Sequence, residues 1–503
     1  MTKRWLVLLA ASVVFYCIYS PTLFFWLLFS AVSIWLGGLR IGSNNYHLKE
    51  MLKTDPEMTR DQKRRLKKEN EKNNLRIAWM IGGLNLIIWL VFKFADMSVA
   101  TWNQWFRTEF RLPGLLLPLG ISFYTLQAVS YVLDAANEKI TPQKNFLKLL
   151  LWLSFFPQII QGPICRYEET SEQLITGHPF DYRRVKFGAQ LMLWGYFKKL
   201  VIADRAAQMS MKVFSDSASY SGLEFIAAAL AYTIQIYGDF SGGMDIIGGA
   251  AQMLGIEMPV NFERPYFSRS IAEYWRRWHI TLGAWFRDYI FYPLSTSKPA
   301  LYIGKYTRKW FGPKAGKMIP TYLAMILVWT ANGIWHGAGM QYAAFGFYQG
   351  ILMILGMQTS PFTDRLLRKW NVNTECFSWR LWQMVRTFFL VVWGRIFFKA
   401  SSLPEAFRIM GSVFRDVDPF IFTNGRIFEL GLDQHEMFVL FLAVQVLFLV
   451  SLLKERGFRL RESLEKQNLV FRWLVYFAAI FTIILAGAYG TNYNPADFVY
   501  ANF

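Results

Sequence analysis

Charge is scarce in this 503-residue chain: only 18% of its residues are Asp, Glu, Lys or Arg, where a soluble protein carries about a quarter. Cysteine is scarcer still, with Cys17, Cys165 and Cys376 far apart and odd in number. No CxxC pair or Cys/His cluster exists, so neither a disulfide framework nor a structural zinc site is indicated. The five histidines are His47, His178, His279, His336 and His435, and none sits in an HExxH pattern. Also missing are the G-x-S-x-G elbow, the P-loop and the G-x-G-x-x-G dinucleotide fingerprint.

What is present is apolar surface. Apolar residues make up 54% of the chain and aromatics 18%, and long uncharged runs alternate with short basic stretches. That is the pattern of an integral bilayer protein. Acids number 35 against 54 Lys and Arg, giving a formal net charge of +19. In so apolar a chain the excess fits basic loops facing the cytoplasm and anionic headgroups, rather than nucleic acid.

Residues 5–39 carry no charge, yet one helix of that length would far exceed a ~30 Å hydrocarbon core. Ser20-Pro21 is the natural break, which predicts helices over 5–20 and 22–38. A hairpin leaves Lys3, Arg4 and Arg40 on one side, the cytoplasmic side by the positive-inside preference. No small-residue cleavage site follows cleanly, so a signal peptide is disfavoured. Residues 50–76, dense in both charges, read as a cytoplasmic helical insert. Further spans are expected at 77–95, 113–133, 320–338, 341–357, 382–398, 436–453 and 471–488. Apolar runs near 147–161, 186–203, 222–237 and 241–255 are interrupted by glycines and by Asp239 and Asp245. The expected fold is therefore an all-α polytopic membrane protein of roughly ten to twelve transmembrane helices, with re-entrant and interfacial helices. The stretch 259–319 holds eleven Lys or Arg against three acids and is crowded with aromatics, as in amphipathic helices at the cytoplasmic boundary.

Four constellations have the residue types for chemistry. In 269–279, Arg276, Arg277 and His279 lie close together. If the segment is helical, Arg276, His279, Gly283 and Arg287 share a face, which suits a phosphate-bearing ligand; a basic interfacial helix is the plain alternative. In 332–339, Asn332 and His336 are one turn apart beside Trp335, and the glycines would leave room for substrate. An ionisable residue inside a span is a functional candidate by default. In 237–245, Asp239 and Asp245 would orient a histidine, pair with the arginines of 269–287, or cap broken helices. In 156–167, two prolines and a glycine suggest a re-entrant turn, with Cys165 buried and inert.

The runs PLGISFYTLQAVSYVLD (118–134), FFPQIIQGPICRY (155–167), YGDFSGGMDIIGGAAQMLG (237–255), NFERPYFSRSIAEYWRRWHITLGAWFRDYIFYPL (261–294) and GIWHGAGMQYAAFGFYQG (333–350) resemble the membrane-bound O-acyltransferase (MBOAT) superfamily. Within it they are similar to the bacterial branch that holds the alginate O-acetylase membrane subunit and the teichoic-acid D-alanyl transfer protein. The aromatic tail 495–503 resembles that branch as well. The resemblance implies an MBOAT fold around a central tunnel, with 1–112 as N-terminal spans, 113–357 as an acyltransferase core and 358–503 as C-terminal spans. It implies His336 as the general base and His279 as its assistant, with Asn332, Arg276, Arg277, Trp335, Asp239 and Arg287 supporting or binding the donor. The donor would be a cytosolic acyl thioester, acetyl-CoA or a phosphopantetheine carrier protein, with no tightly bound cofactor. The acceptor would be a hydroxyl of a cell-envelope or exported polysaccharide, reached directly or through an extracytoplasmic partner protein, and the chain itself would be a multi-pass protein of the bacterial cytoplasmic membrane. The longer basic insert after Pro293-Leu294, and Gly238 and Gly243, depart from the family pattern and bear on donor and acceptor identity. The alternatives are D-alanylation of teichoic acid and, from other classes, a polytopic transporter or flippase or a non-catalytic scaffold. The absence of matching inverted halves speaks against a transporter.

Overall fold

The computed structural model describes residues 3–55 and 57–489, and the aromatic tail at 495–503 lies outside them. Helices are the regular elements of the described residues, with no strand beyond one isolated bridge between Phe262 and Trp278. Two compact units form: Met1–Gly188 with Ala250–Pro259, and Ala189–Gly249 with Val260–Phe503.

The first unit opens with α1 (Arg4–Tyr19), α2 (Phe24–Thr54) and α3 (Arg60–Phe106). The break falls at Ser20-Pro21 as the sequence predicts. The charged stretch 50–76 is largely helical, and its helical residues continue the neighbouring elements: 50–54 end α2 and 60–76 begin α3. Asn74 receives a hydrogen bond from Asn44 at 2.8 Å and donates one to Asn45 at 2.7 Å, and Asn70 donates to Asn45 at 2.8 Å. This amide ladder fixes the register of the two helices where no apolar face remains to do so. A Thr59–Gln62 capping box starts α3. The span expected at 113–133 is displaced. Residues 107–120 are irregular, and α4 (Ile121–Ala136) follows with every residue buried. A helix covered on all sides needs no polar face; α2, α3 and α5 (Phe146–Ser154) surround it. The segment from Phe155 to Arg166 is irregular, as its prolines predict, and leads into α6 (Tyr167–Thr176). Cys165 is fully buried there, and burial pushes its thiol pKa well up.

The rest of the chain carries α7 (Tyr182–Tyr196), a π-helical turn (Phe197–Ala203), α8 (Asp204–Ser215) and α9 (Leu223–Met253). The runs at 222–237 and 241–255 are thus one helix rather than two. In the second unit, Gly195, Gly238 and Gly242 let backbones meet: a Cβ on Gly195 would lie 2.6 Å from the Gly242 carbonyl oxygen. Short helices α10 (Ile271–Arg277), α11 (Ile280–Phe286) and α12 (Tyr292–Ser295) precede α13 (Lys298–His336), which is broken at Gly312. Then come α14 (Met340–Lys369), α15 (Phe377–Lys399), α16 (Leu403–Arg415), α17 (Gln434–Glu455), α18 (Leu460–Glu465) and α19 (Leu469–Ala486). Among the described residues, six helices are long and apolar enough to cross a bilayer: α2, α3, α13, α15, α17 and α19. The protein is a multi-pass membrane protein.

Candidate active site

His279 stands at a break, not within a helix. The condition of one helix through 269–287 is not met: α10 ends at Arg277, and His279 adopts φ 47° and ψ 53°, the left-handed region. The cause is non-local. Residues 261–263 run antiparallel to 277–280: Glu263 N–H donates to the Arg277 carbonyl at 2.8 Å, and Ile280 N–H donates to the Asn261 carbonyl at 3.0 Å. Clamped on both sides, the histidine backbone holds a conformation costing of order 1–3 kcal/mol.

The same clamp fixes the imidazole. Asn261 Oδ1 accepts from the Thr281 N–H at 3.1 Å and the Thr281 hydroxyl at 3.0 Å, and lies 3.2 Å from His279 Nδ1. The Thr281 N–H can only donate, so the Asn261 atom is an oxygen and Nδ1 must carry the ring proton. The lone pair is therefore on Nε2. Phe240 meets the ring edge-on, with centroids 4.8 Å apart. Burial pushes the His279 pKa down to about 3, because a charged imidazolium would lose its hydration.

A cavity of about 500 Å³ opens beside this ring. Its walls include Trp275 and Trp329, whose rings lie 4.5 Å apart, and Gln349 accepts the Trp275 indole N–H at 3.1 Å. Buried His279 and Asn332 line its inner part, while exposed Arg276, Gly283 and Arg287 line its outer part. The residues that helical spacing grouped thus do meet, but around this cavity rather than along one helix face. A Cβ on Gly283 would meet nothing closer than the Trp275 carbonyl oxygen at 3.7 Å. Asn332 Oδ1 is buried and has no hydrogen-bond partner among the described residues. A buried acceptor left so costs about 1–3 kcal/mol, a cost that a hydrogen-bond donor on a bound molecule would remove.

Asn332 lies one helical turn before His336 on α13. His336 is buried and packs between the Trp335 ring, at 4.8 Å, and the Phe398 ring, at 5.0 Å. Trp335 also meets His279, at 6.1 Å, so one indole touches both imidazoles. His336 is not itself on the wall of the 500 Å³ cavity. The glycines around it do not leave room for substrate, as the sequence suggested. A Cβ on Gly333 would sit 2.1 Å from the Tyr342 carbonyl oxygen, and one on Gly337 would lie 2.3 Å from the Tyr342 ring. Their space is filled by α14, whose backbone closes directly on α13.

The remaining predicted residues are engaged elsewhere. Arg277 is held by Glu273 at 2.8 Å and by Glu455 at 3.0 Å, with Arg264 on the same Glu455 carboxylate at 2.5 Å. It is off the cavity wall, whereas among the described residues no carboxylate pairs with Arg276. Asp239 pairs with buried Lys199 at 2.6 Å, and Asp245 with Lys198 at 2.7 Å. Four contributors escaped the sequence reading: Asn261, Gln349, Phe398 and Arg395. Arg395 is buried, with its guanidinium 4.8 Å above Trp278 and donating to the Tyr274 hydroxyl at 2.8 Å. A lone arginine in an apolar span was a readable signal; the other three were not distinguished by type or spacing.

The fold is that of a polytopic helical membrane protein, with a buried histidine beside a cavity that is apolar within and basic at its exposed end. Residues 15–303 match the MBOAT, membrane-bound O-acyltransferase family, and the chain belongs to it; the protein is a membrane O-acyltransferase. It is 30% identical to the "Probable alginate O-acetylase" of Pseudomonas syringae pv. tomato over 420 residues, covering 82% of this chain and 70% of that one. It is 30% identical over 370 residues to the "Peptidoglycan O-acetyltransferase" of Helicobacter pylori, covering 68% and 66% of the two chains. The "Teichoic acid D-alanyltransferase" of Bacillus subtilis is 26% identical over 297 residues, covering 57% and 70%.

Proposed function

We propose that this enzyme transfers acetyl from a cytosolic thioester to a hydroxyl of a cell-envelope or exported polysaccharide. The observation that carries this reading is the cavity holding His279 and Asn332 at its buried end and two arginines at its exposed end. Those arginines suit the phosphates of coenzyme A or of a carrier's phosphopantetheine. The two relatives named above as an O-acetylase and an O-acetyltransferase support acetate over D-alanine.

In the proposed step the acceptor oxygen attacks the thioester carbonyl carbon, and the carbon–sulfur bond breaks as the tetrahedral intermediate collapses. His336 takes the hydroxyl proton and returns it to the departing thiolate, a role worth ~10²–10⁴ in rate. His279, neutral and bearing its lone pair on Nε2, accepts a hydrogen bond from the donor arm; the Asn332 side-chain carbonyl oxygen accepts an N–H of that arm, and Trp335, packed against both imidazoles, holds their relative position. Arg276 and Arg287 receive the donor's phosphates. Arg277 holds α10 in place through Glu273 and Glu455, and Asp239 anchors α9 to the π-helical turn. The catalytic core spans 113–357, within ten to twelve spans and re-entrant segments that enclose a tunnel. The site is the bacterial cytoplasmic membrane, with an extracytoplasmic partner protein relaying or completing transfer to the polymer.

The experiment supplies ¹⁴C-acetyl-CoA, and separately D-[¹⁴C]alanine with its carrier protein, to proteoliposomes that hold the protein and envelope polymer. Acetate in the polymer is expected, with His336→Ala reduced about 10²–10⁴-fold. D-alanine incorporation without acetate would replace the proposed donor, and wild-type acetylation by His336→Ala would remove the assigned base. D-alanylation of teichoic acid from a carrier protein is the second reading, favoured by the Bacillus relative.

A further inference from the structure

A second cavity, of about 540 Å³, lies within the second unit between α7, α17, α18 and α19. Its walls include Leu191, Trp194, Val446, Val450 and Ala479, with Trp194 stacked on Phe197 at 5.3 Å. At one end the chain turns from α17 into α18 and brings Lys454, Arg459 and Arg461 onto the lining, with Glu462 as the one acid there. Among the described residues no carboxylate is in salt-bridge contact with Lys454 or Arg459; Asp245, itself held by Lys198 at 2.7 Å, acts on Lys454 only from beyond that contact. Gln190 donates to the Tyr476 hydroxyl at 2.7 Å, while its own Oε1 is buried without a partner among the described residues. Neither imidazole of the acyltransferase site lies on this lining.

We propose that this groove is a binding site for an anionic phospholipid, its acyl chain among the apolar residues and its headgroup phosphate on Lys454 and Arg459. Three features select that occupant. The volume lies in the range of small-molecule pockets (about 300–1,000 Å³), which suits one acyl chain with the second left in the bilayer. Two helices that frame it, α17 and α19, are apolar enough to lie in the bilayer, so acyl chains reach it from the side. The unpaired cations sit at one end only, which complements a molecule with one charged end and one apolar end. A soluble phosphate compound would leave the apolar length of the groove unfilled.

The test uses the full chain purified in mild detergent with phosphatidylglycerol or phosphatidylcholine added, read by native mass spectrometry and by thermal melting. The protein is expected to retain phosphatidylglycerol through an excess of phosphatidylcholine, and to melt higher with the former. The pair Lys454→Ala/Arg459→Ala should cut that retention at least about tenfold. Ala479→Trp, which fills the groove without changing charge, should do the same, while the exposed control pair Arg365→Ala/Arg368→Ala should not. Equal retention of the two lipids, or undiminished phosphatidylglycerol on the Lys454/Arg459 variant, would overturn the proposal.

Discussion

At the scale of the residue, His279 shows how much a side chain's chemistry depends on distant backbone. Its type and its neighbours Arg276 and Arg287 were legible, and so was its grouping with them. The left-handed conformation and the proton on Nδ1 were not, because both come from Asn261, eighteen residues earlier and unremarkable in composition. The depressed pKa has a directional consequence. Above pH 6.5 the ring is neutral in folded and unfolded chains alike, so it adds no pH dependence. Between pH 6.5 and about 3 the unfolded chain takes up a proton that the folded one refuses, so stability falls as pH falls, by at most about 1.4 kcal/mol per unit. Melting temperature of the solubilised protein should decline through that window, and His279→Gln should flatten the part of the decline that this ring causes. An unchanged slope in the variant would mean the ring is already protonated in the fold.

At the scale of the element, hydropathy located α1, α13, α15, α17 and α19 because each is a long run set off by charge or proline. It misplaced α4, which is buried by neighbours rather than by lipid, and it split α9, whose glycines serve packing instead of ending the helix. The pair α13 and α14 makes the same point for glycine. Gly333 and Gly346 face each other across the hairpin, and a Cβ on Gly346 would lie 2.0 Å from the Trp329 carbonyl oxygen. Gly333→Ala and Gly346→Ala should each destabilise the protein by about 1–3 kcal/mol or more. Gly283→Ala has room and removes a flexible residue from a helix, so it should be neutral or stabilising by about 0.5–1 kcal/mol. Melting curves of the three variants check the contrast; a Gly283→Ala protein as weakened as Gly333→Ala would show that the cavity wall is tighter than described.

For the whole molecule, the excess of 19 positive charges is not spread evenly, and its placement bears on how the donor is held. Arg277 is neutralised by Glu273 and Glu455, and Lys198 and Lys199 by aspartates. Exposed Arg276 has no carboxylate among the described residues, and Arg287 shares its charge with Asp288 at 2.9 Å. Of these cations, Arg276 and Arg287 are the two on the cavity wall, so positive potential is concentrated where a phosphate-bearing thioester would enter. Removing either should therefore act on binding and not on the chemical step. Arg276→Ala and Arg287→Ala should each raise KM for acetyl-CoA several-fold with kcat little changed. The same variants should handle the truncated donor S-acetyl-N-acetylcysteamine as the wild type does, since that molecule has the thioester and no phosphate. Raising ionic strength should weaken acetyl-CoA use and leave the truncated donor unaffected, because exposed charges are screened over about 10 Å at 0.1 M salt. A matching KM rise for both donors would place the arginines in the framework of α10 and α11 instead of in contact with the donor.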